Sequence, residues 1–505
     1  MESNHQVVII GAGPAGMQLS YFLNKAGVSH VVLERADIPG SFFATYPVHR
    51  KLISINKVHT GFDDKTKNLR WDWNSLLNDD DDFSFKDFDQ SYYPSSDKLV
   101  EYMAQFATRY ELPIQFNTHV DSITKTNSQF VINCRNNKTY NADILVDATG
   151  IGELNVPNID GIEHVIPYTE MSNDVSQFKN KRILILGKGN SAFETADSLM
   201  EVSANTHVIS PKDFNFAWVS HYPGHLRSVN QGFLDTFFLK QQNAILNGTI
   251  ASIKPTEQGQ YLVDMIFSED GERELNTYDH IVNCSGFKCN FDHYSADLKP
   301  DLCLMDKFPK LNHQWQSTNI DNLFFCGANM QCNDYKDSST PFVHGIRHNA
   351  QTLAEILVNK LQNRTWQAKQ TITAETDLYD AISEQIRRAT TIWFLFGNVY
   401  DVYALDAQNN FQFYESIPKL VFEQDELFKN FSGYTLEFSY KLPKDESEKP
   451  KFSTHGFLHP IIMKYQGGEC IDEIHMLEDI YSEWEDLDKL DNGIKEFILT
   501  SQFEA

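Results

Sequence analysis

Positive charge is scarce in this 505-residue chain, where 43 lysines and arginines stand against 69 aspartates and glutamates, a formal net charge of -26. Such an excess repels polyanions, so no nucleic-acid partner and no membrane partner is expected. Long apolar runs are missing as well. No stretch approaches the roughly 20 residues that span a bilayer, and Met1 to Gln6 leads straight into an apolar strand without a charged-then-apolar leader. A cytoplasmic location is the resulting expectation. Cysteine is sparse and odd in number, at seven, which argues against a disulfide framework and for reduced thiols. Cys284 and Cys289 are spaced C-x4-C, which resembles the pair of some disulfide reductases, but they follow a late strand, YDHIVNC, and not the first glycine-rich turn as in those enzymes. Buried free thiols are therefore expected there. The acidic run Asp79 to Asp82 reads as a solvated loop, because adjacent carboxylates cannot all point at one ion, and no metal site is expected.

What the chain does contain is two strand-turn-helix units. Val7 to Ile10 is an apolar run, GAGPAG follows, and Met17 to Asn24 carries apolar residues at helical spacing. Gly11 suits the tight turn, Gly13 lets a pyrophosphate approach the backbone, and Gly16 lets helix pack on strand. The helix amino terminus, with Pro14 and Ala15, then presents N–H groups to phosphate. Glu34 ends the next strand 18 residues after Gly16, placed to accept from ribose hydroxyls, with Arg35 beside it. This unit is assigned to FAD.

The second unit is RILIL followed by GKGNSA, with Gly187 and Gly189 in the glycine places, Ala192 in the third, and Asn190 and Ser191 opening the helix. Its second strand ends not in an acid but in Ser210, Pro211 and Lys212. A hydroxyl and a cation suit a 2'-phosphate, which favours NADPH over NADH, although Lys212 also fits an ordinary solvated lysine. Lys188, inside the turn, is expected to face nucleotide. Two such units imply hydride transfer from nicotinamide to flavin.

The expected fold is α/β, with two Rossmann-like dinucleotide-binding domains, the NADP domain inserted in the FAD domain. Residues 1–155 and 291–360 would form the FAD domain, 156–290 the NADP domain, and 361–505 a small C-terminal α+β cap with no recognisable chemistry. The cap contains aromatic-rich strands such as FQFYES and YTLEFSY and the charged segment KLPKDESEKPK.

PGSFF, NADILVDATG, GKGNSA, YDHIVNCSG and NLFFCG, in that order, resemble the class B flavoprotein monooxygenases. The likeness places Gly150 at the crossover into the nucleotide domain and Asn56, in SINK, beside the flavin. It implies an enzyme that reduces FAD with NADPH and adds oxygen to the flavin as a hydroperoxide. PGSFFATYPVHRKLISINK, WDWNSLL, GKGNSAFETA, HYPGHLRSVNQGFLDT, FVHGIRHNA and GFLHPIIMKY, spread over nearly the whole chain, are similar to the FAD-dependent oxidoreductase domain-containing protein 2 family. Its animal members work in the endoplasmic reticulum, a compartment not expected to carry over to a sequence that opens on a strand and ends SQFEA. The layout also resembles the bacterial single-component flavin-dependent brominases, so the resemblance leaves hydroxylation and halogenation of a small phenolic aromatic both open. Molecular oxygen, and halide in the second case, join the expected partners. A homodimer is compatible with the sequence.

Ser41 and Phe42 of PGSFF are expected to line the flavin, Gly327 of NLFFCG to approach its ribityl chain, and Val120 to contribute to the FAD site. Arg50 fits either FAD phosphate or solvent. Asn56 is the catalytic candidate, since one amide both donates and accepts. Lys240, after the apolar LDTFFL, is a candidate proton donor if buried, and a surface lysine otherwise. Trp71, Trp73, Tyr92, Tyr93, Trp218 and His221 suit an aromatic substrate pocket or ordinary core packing. His164 does not reproduce the spacing of the histidine-containing signature of the monooxygenases. The competing reading is an NADPH-dependent electron-transfer flavoprotein that uses the cap to dock a protein partner.

Overall fold

A computed structural model describes residues 2–441, 457–476, 479–485 and 493–499. Most of the charged segment after Lys441 and the terminal SQFEA lie outside the described residues. The apolar strand Glu2–Ile10 runs parallel to His30–Leu33 on one side and to Thr139–Asp147 on the other, with Val7, Val8 and Ile9 buried. Seven strands make this first sheet. Ile114–Gln115 closes one edge, and an antiparallel hairpin of Val120–Thr126 and Gln129–Cys134 extends the other.

After Asp147 the chain leaves this sheet and builds a second one, of seven strands all drawn from residues 166 to 283. Its parallel centre joins Arg182–Leu186 to Asn205–Ser210 and His280–Asn283, and antiparallel strands Tyr261–Phe267 and Arg273–Tyr278 flank it. The chain then returns. Leu323–Phe325 pairs in parallel with Leu145 to Asp147, so the second Rossmann-like domain is an insertion within the first. Helices Pro14–Lys25 and Val343–Leu361 pack together on the first sheet.

The cap is a six-stranded antiparallel sheet. Its faces follow the two-residue period of a strand: Tyr400 and Val402 join the core of the first domain, while Tyr403 turns to a separate core with Leu378, Ile382 and Ile386 of helix Glu375–Arg388. Arg70 ties cap to domain by donating to the carbonyls of Ile386 (2.5 Å) and Ala389 (3.0 Å), which the helix end leaves unpaired. Among the described residues no helix is long and apolar enough to cross a membrane.

Candidate flavin and nicotinamide nucleotide site

The two glycine turns are built alike. Gly11 (φ +103°) and Gly187 (φ +123°) adopt a conformation that side chains rarely take, and a Cβ on either would meet a backbone oxygen, of Ala148 at 2.7 Å or Cys284 at 2.3 Å. At Gly16 a Cβ would lie 2.0 Å from the Gly11 oxygen. Gly13 and Gly189, by contrast, have nothing within 4 Å of a Cβ, so the second glycine of each turn faces open space where a phosphate can approach. Neither following helix, Pro14–Lys25 or Asn190–Leu199, has a side-chain cap, which leaves its first N–H groups free for an anion. Both turns open onto one cavity of about 1040 Å³. Gly13, Pro14, Ala15, Phe42 and Gly150 line it from the first domain, and Gly187, Gly189, Asn190, Ser191, Ser210 and Lys212 from the second. The residues present fit two dinucleotides.

Glu34 is buried, and its carboxylate accepts from the amides of Ala12 (2.8 Å) and Ala36 (2.9 Å) and from Ser41 Oγ (3.3 Å). Arg35 is exposed, Val120 opens the hairpin at the sheet edge, and Ala192 is packed behind its turn. Gly327 (φ +84°) lies where a Cβ would meet Ala15, behind the first turn. At the second site Ser210 Oγ donates to the Lys212 carbonyl (2.7 Å), and Lys212 itself is exposed. Lys188 is the buried cation there. Its Nζ donates to Asn247 Oδ1 and to the Lys212 carbonyl (3.3 Å), and burial lowers its pKa despite the nearby Asp213.

Two side chains that sequence reasoning passed over sit between the domains. Glu194, two residues after Ala192, lines the cavity and accepts from Tyr168 Oη, which in turn accepts from the Val48 amide (3.1 Å). Burial pushes the Glu194 carboxyl up to about 7. Phe42, Tyr46 and Phe287 close around them, with Tyr46 stacked on Tyr168 at 5.7 Å and Phe287 edge-on to Tyr46 at 4.9 Å. An acid on the buried face of a fingerprint helix was the available signal.

The remaining candidates are dispersed. Asn56 is buried, but its Nδ2 donates to the Asp89 carbonyl (2.5 Å) and it does not line the cavity; Asn74 does. Lys240 is exposed beyond helix Gly232–Phe238 and does not line the cavity. Arg50 pairs with Asp97 (2.6 Å) and donates to the Phe43 carbonyl. Trp71 packs on Trp393 and Trp73 on Phe394, both in the cap, and His221 stacks on Tyr440 of the cap. Tyr92 is exposed, Tyr93 bonds Ser228 Oγ (2.6 Å), and Trp218 stacks on Phe216. His164, part-exposed, stacks on Tyr261. Of the C-x4-C pair only Cys284 reaches the cavity; Cys289 donates to Asn329 Oδ1 (3.0 Å), and burial pushes both thiols up to about 12. Among the described residues no cluster of histidine, cysteine and carboxylates could hold a metal.

Fold and cavity together define an oxidoreductase that brings a flavin and a nicotinamide nucleotide to one site. The chain belongs to the pyridine nucleotide-disulphide oxidoreductase family, whose model matches residues 8–327. It is similar to the FAD-dependent oxidoreductase domain-containing protein 2 of Mus musculus, 30% identical over 506 residues that cover 91% of this chain and 76% of that one. Among solved structures, a flavin-containing monooxygenase from Stenotrophomonas maltophilia matches with a TM-score of 0.56 at 19% identity, over 71% of this chain and 99% of that one. The bacillithiol disulfide reductase of Staphylococcus aureus matches with a TM-score of 0.55 at 18% identity, over the same shares. The protein is thus a flavin-dependent enzyme using FAD and a nicotinamide nucleotide. The paired structural likenesses share a fold and differ in chemistry.

Proposed function

We propose that the protein is a single-component monooxygenase-type enzyme in which NADPH reduces FAD and molecular oxygen then oxidises a small phenolic aromatic, by hydroxylation or by halogenation such as bromination. The observation that carries this is the single cavity shared by both glycine turns and walled by aromatic rings. Burial pushes the thiols of Cys284 and Cys326, the cysteines that line it, up to about 12, which favours unreactive thiols there over a redox pair.

The first turn, with Gly13, Pro14 and Ala15, holds the FAD pyrophosphate, and Glu34 the adenosine ribose. Gly189, Asn190 and Ser191 hold the pyrophosphate of NADPH, while Ser210, Lys212 and the buried Lys188 receive its 2'-phosphate. Glu194, held by Tyr168, accepts from the nicotinamide carboxamide and orients the ring. Phe42, Tyr46 and Phe287 exclude water from the meeting point. FAD held at the first turn would supply the hydride-accepting and oxygen-activating chemistry, with the residues of the second turn holding the nicotinamide nucleotide against it. In the hydroxylation one oxygen atom enters the ring and the other leaves as water.

The test supplies FAD-loaded enzyme with NADPH, ¹⁸O-labelled oxygen and a panel of phenols, with and without bromide. Label or bromine in an aromatic product, together with substrate-stimulated NADPH use, is expected. NADPH consumption that ends only in hydrogen peroxide, or only in reduction of a protein acceptor, contradicts the proposal.

A further inference from the structure

One wall of the cavity carries a histidine with a nitrogen to spare. Residues 221–227 lie against the second turn, held there by Asn190. Its Nδ2 donates to the carbonyls of Gly224 (3.1 Å) and His225 (2.8 Å), and its Oδ1 accepts from the Arg227 amide (3.0 Å). His225 lines the cavity, and the Tyr222 ring meets it edge-on at 5.1 Å. The His225 Nδ1 lies 2.5 Å from Ser220 Oγ. That hydroxyl also accepts from the Tyr222 amide (3.3 Å) and donates its one proton to the Phe216 carbonyl (3.1 Å). These contacts are satisfied together only when Nδ1 carries the imidazole proton and donates it to Oγ. Nε2 then holds a lone pair, and it is buried with no hydrogen-bond partner.

Several other groups in the wall are engaged or already protonated. Glu194 accepts from Tyr168 Oη, and burial pushes its carboxyl up to about 7. The phenols of Tyr46, Tyr168 and Tyr222 are pushed up by burial and remain donors. His225 goes the other way. Burial, and after it the Lys336 ammonium, lowers its pKa, so the ring is neutral at pH 7. The same wall favours an anion. Lys307 and Lys336 flank the Tyr335 ring, each at 5.3 Å, and all three residues line the cavity. Pro341, Phe342 and Val343 bring to it the amino end of helix Val343–Leu361, which has no side-chain cap and adds partial positive charge. A neutral base thus stands beside fixed positive charge.

We propose that His225 is the proton acceptor for the substrate's acidic hydroxyl: the O–H bond breaks, an N–H bond forms at Nε2, and Lys336 and the helix end stabilise the oxyanion left behind. Ser220 is the positioning residue, fixing the Nδ1 proton so that Nε2 stays free to accept. The imidazolium returns its proton to solvent once product has left. Ionisation feeds electron density into the ring before the ring attacks an electrophilic oxygen or halogen. That the hydroxyl belongs to a molecule the enzyme oxidises rests on the function proposed above; that this wall ionises a bound phenol does not.

The probe is 4-nitrophenol, whose ionised form absorbs strongly in the visible, and the control is nitrobenzene, which has no proton to give. Both are titrated into FAD-loaded enzyme between pH 6 and pH 8 and read as difference spectra, without NADPH and so without turnover. The ionised-to-neutral ratio of bound probe should exceed that of free probe at the same pH by at least about tenfold. His225→Gln should remove that gain and Ser220→Ala part of it, with nitrobenzene binding alike in all three proteins. A bound probe no more ionised than the free one, equal ionisation in wild type and His225→Gln, loss of nitrobenzene binding in step with the probe, or displacement of the probe by NADP⁺ overturns the assignment. In turnover, kcat/KM for a phenol should fall about 100-fold in His225→Gln. The wild-type acid limb, expected below the ordinary histidine value of 6.5, should vanish with it. An ionised probe in an enzyme that forms no oxidised product would leave His225 in this role and remove the functional reading. Oxidised product formed equally well by His225→Gln would do the reverse.

Discussion

The two nucleotide units share a turn and differ in what surrounds it. In the first unit the polar groups near the turn are spent on the protein itself. The Glu34 carboxylate takes three donors, and Gln18, at the helix position equivalent to Glu194, exchanges two hydrogen bonds with the Leu77 backbone at 2.6 and 3.1 Å. In the second unit Glu194 lines the cavity with the Tyr168 phenol and the Val48 amide beside it, and the hydrogen bonds of Lys188 go to neutral oxygens, with Asp213 nearby. Burial shifts both toward their uncharged forms. A satisfied turn suits a cofactor that stays. A turn that keeps an acid and a cation short of partners suits a nucleotide that binds, reacts and leaves.

The comparison breaks most visibly at Gly187. An alanine there combines positive φ with a Cβ 2.3 Å from the Cys284 oxygen, so Gly187→Ala should slow anaerobic flavin reduction by NADPH about 100-fold while FAD content stays normal. Stopped-flow flavin bleaching and the flavin-to-protein ratio check the two halves of that statement.

Glu194 supplies a pH test. Its folded pKa lies above the unfolded value, so the folded state holds the extra proton between pH 4.5 and about 7. Wild-type stability should therefore fall, relative to Glu194→Gln, as pH rises through that window, by about 3 kcal/mol at most, and the gap should stay constant above it. Urea midpoints for the two proteins from pH 5 to pH 8 measure the divergence.

A smaller effect is expected at the 2'-phosphate. Lys188→Met should raise the KM for NADPH about tenfold with little change for NADH, whereas Lys212→Met, removing an exposed cation, should cost less. Equal losses for both coenzymes would remove Lys188 from that role. Least of all, Lys240→Ala should change product formation less than about twofold, since the residue is exposed and does not line the cavity.

Legibility in the sequence followed range. The two turns and Glu34 were readable because their geometry is set within about 25 residues by local spacing. The insertion could be anticipated from the order of the units, and the return strand Leu323–Phe325 realises it. Glu194 escaped notice because its partner Tyr168 and its lid residues Phe42, Tyr46 and Phe287 come from three separate segments. Asn56 shows the opposite limit. Its motif suggested a place at the flavin, yet its bridge to Asp72 turns the amide toward Asp89, and Asn74 takes the cavity wall. The cap, silent as sequence, sets Phe394 against His344 of the first domain, a contact between segments far apart in the chain.

The central claim is that both nucleotides meet in one cavity and that electrons enter the flavin there. Anaerobic titration of the FAD-loaded enzyme with NADPH, followed by flavin absorbance, measures it directly. The account predicts complete bleaching at one NADPH per FAD, faster with NADPH than with NADH and lost in Gly187→Ala. Flavin that stays oxidised under excess NADPH would contradict it.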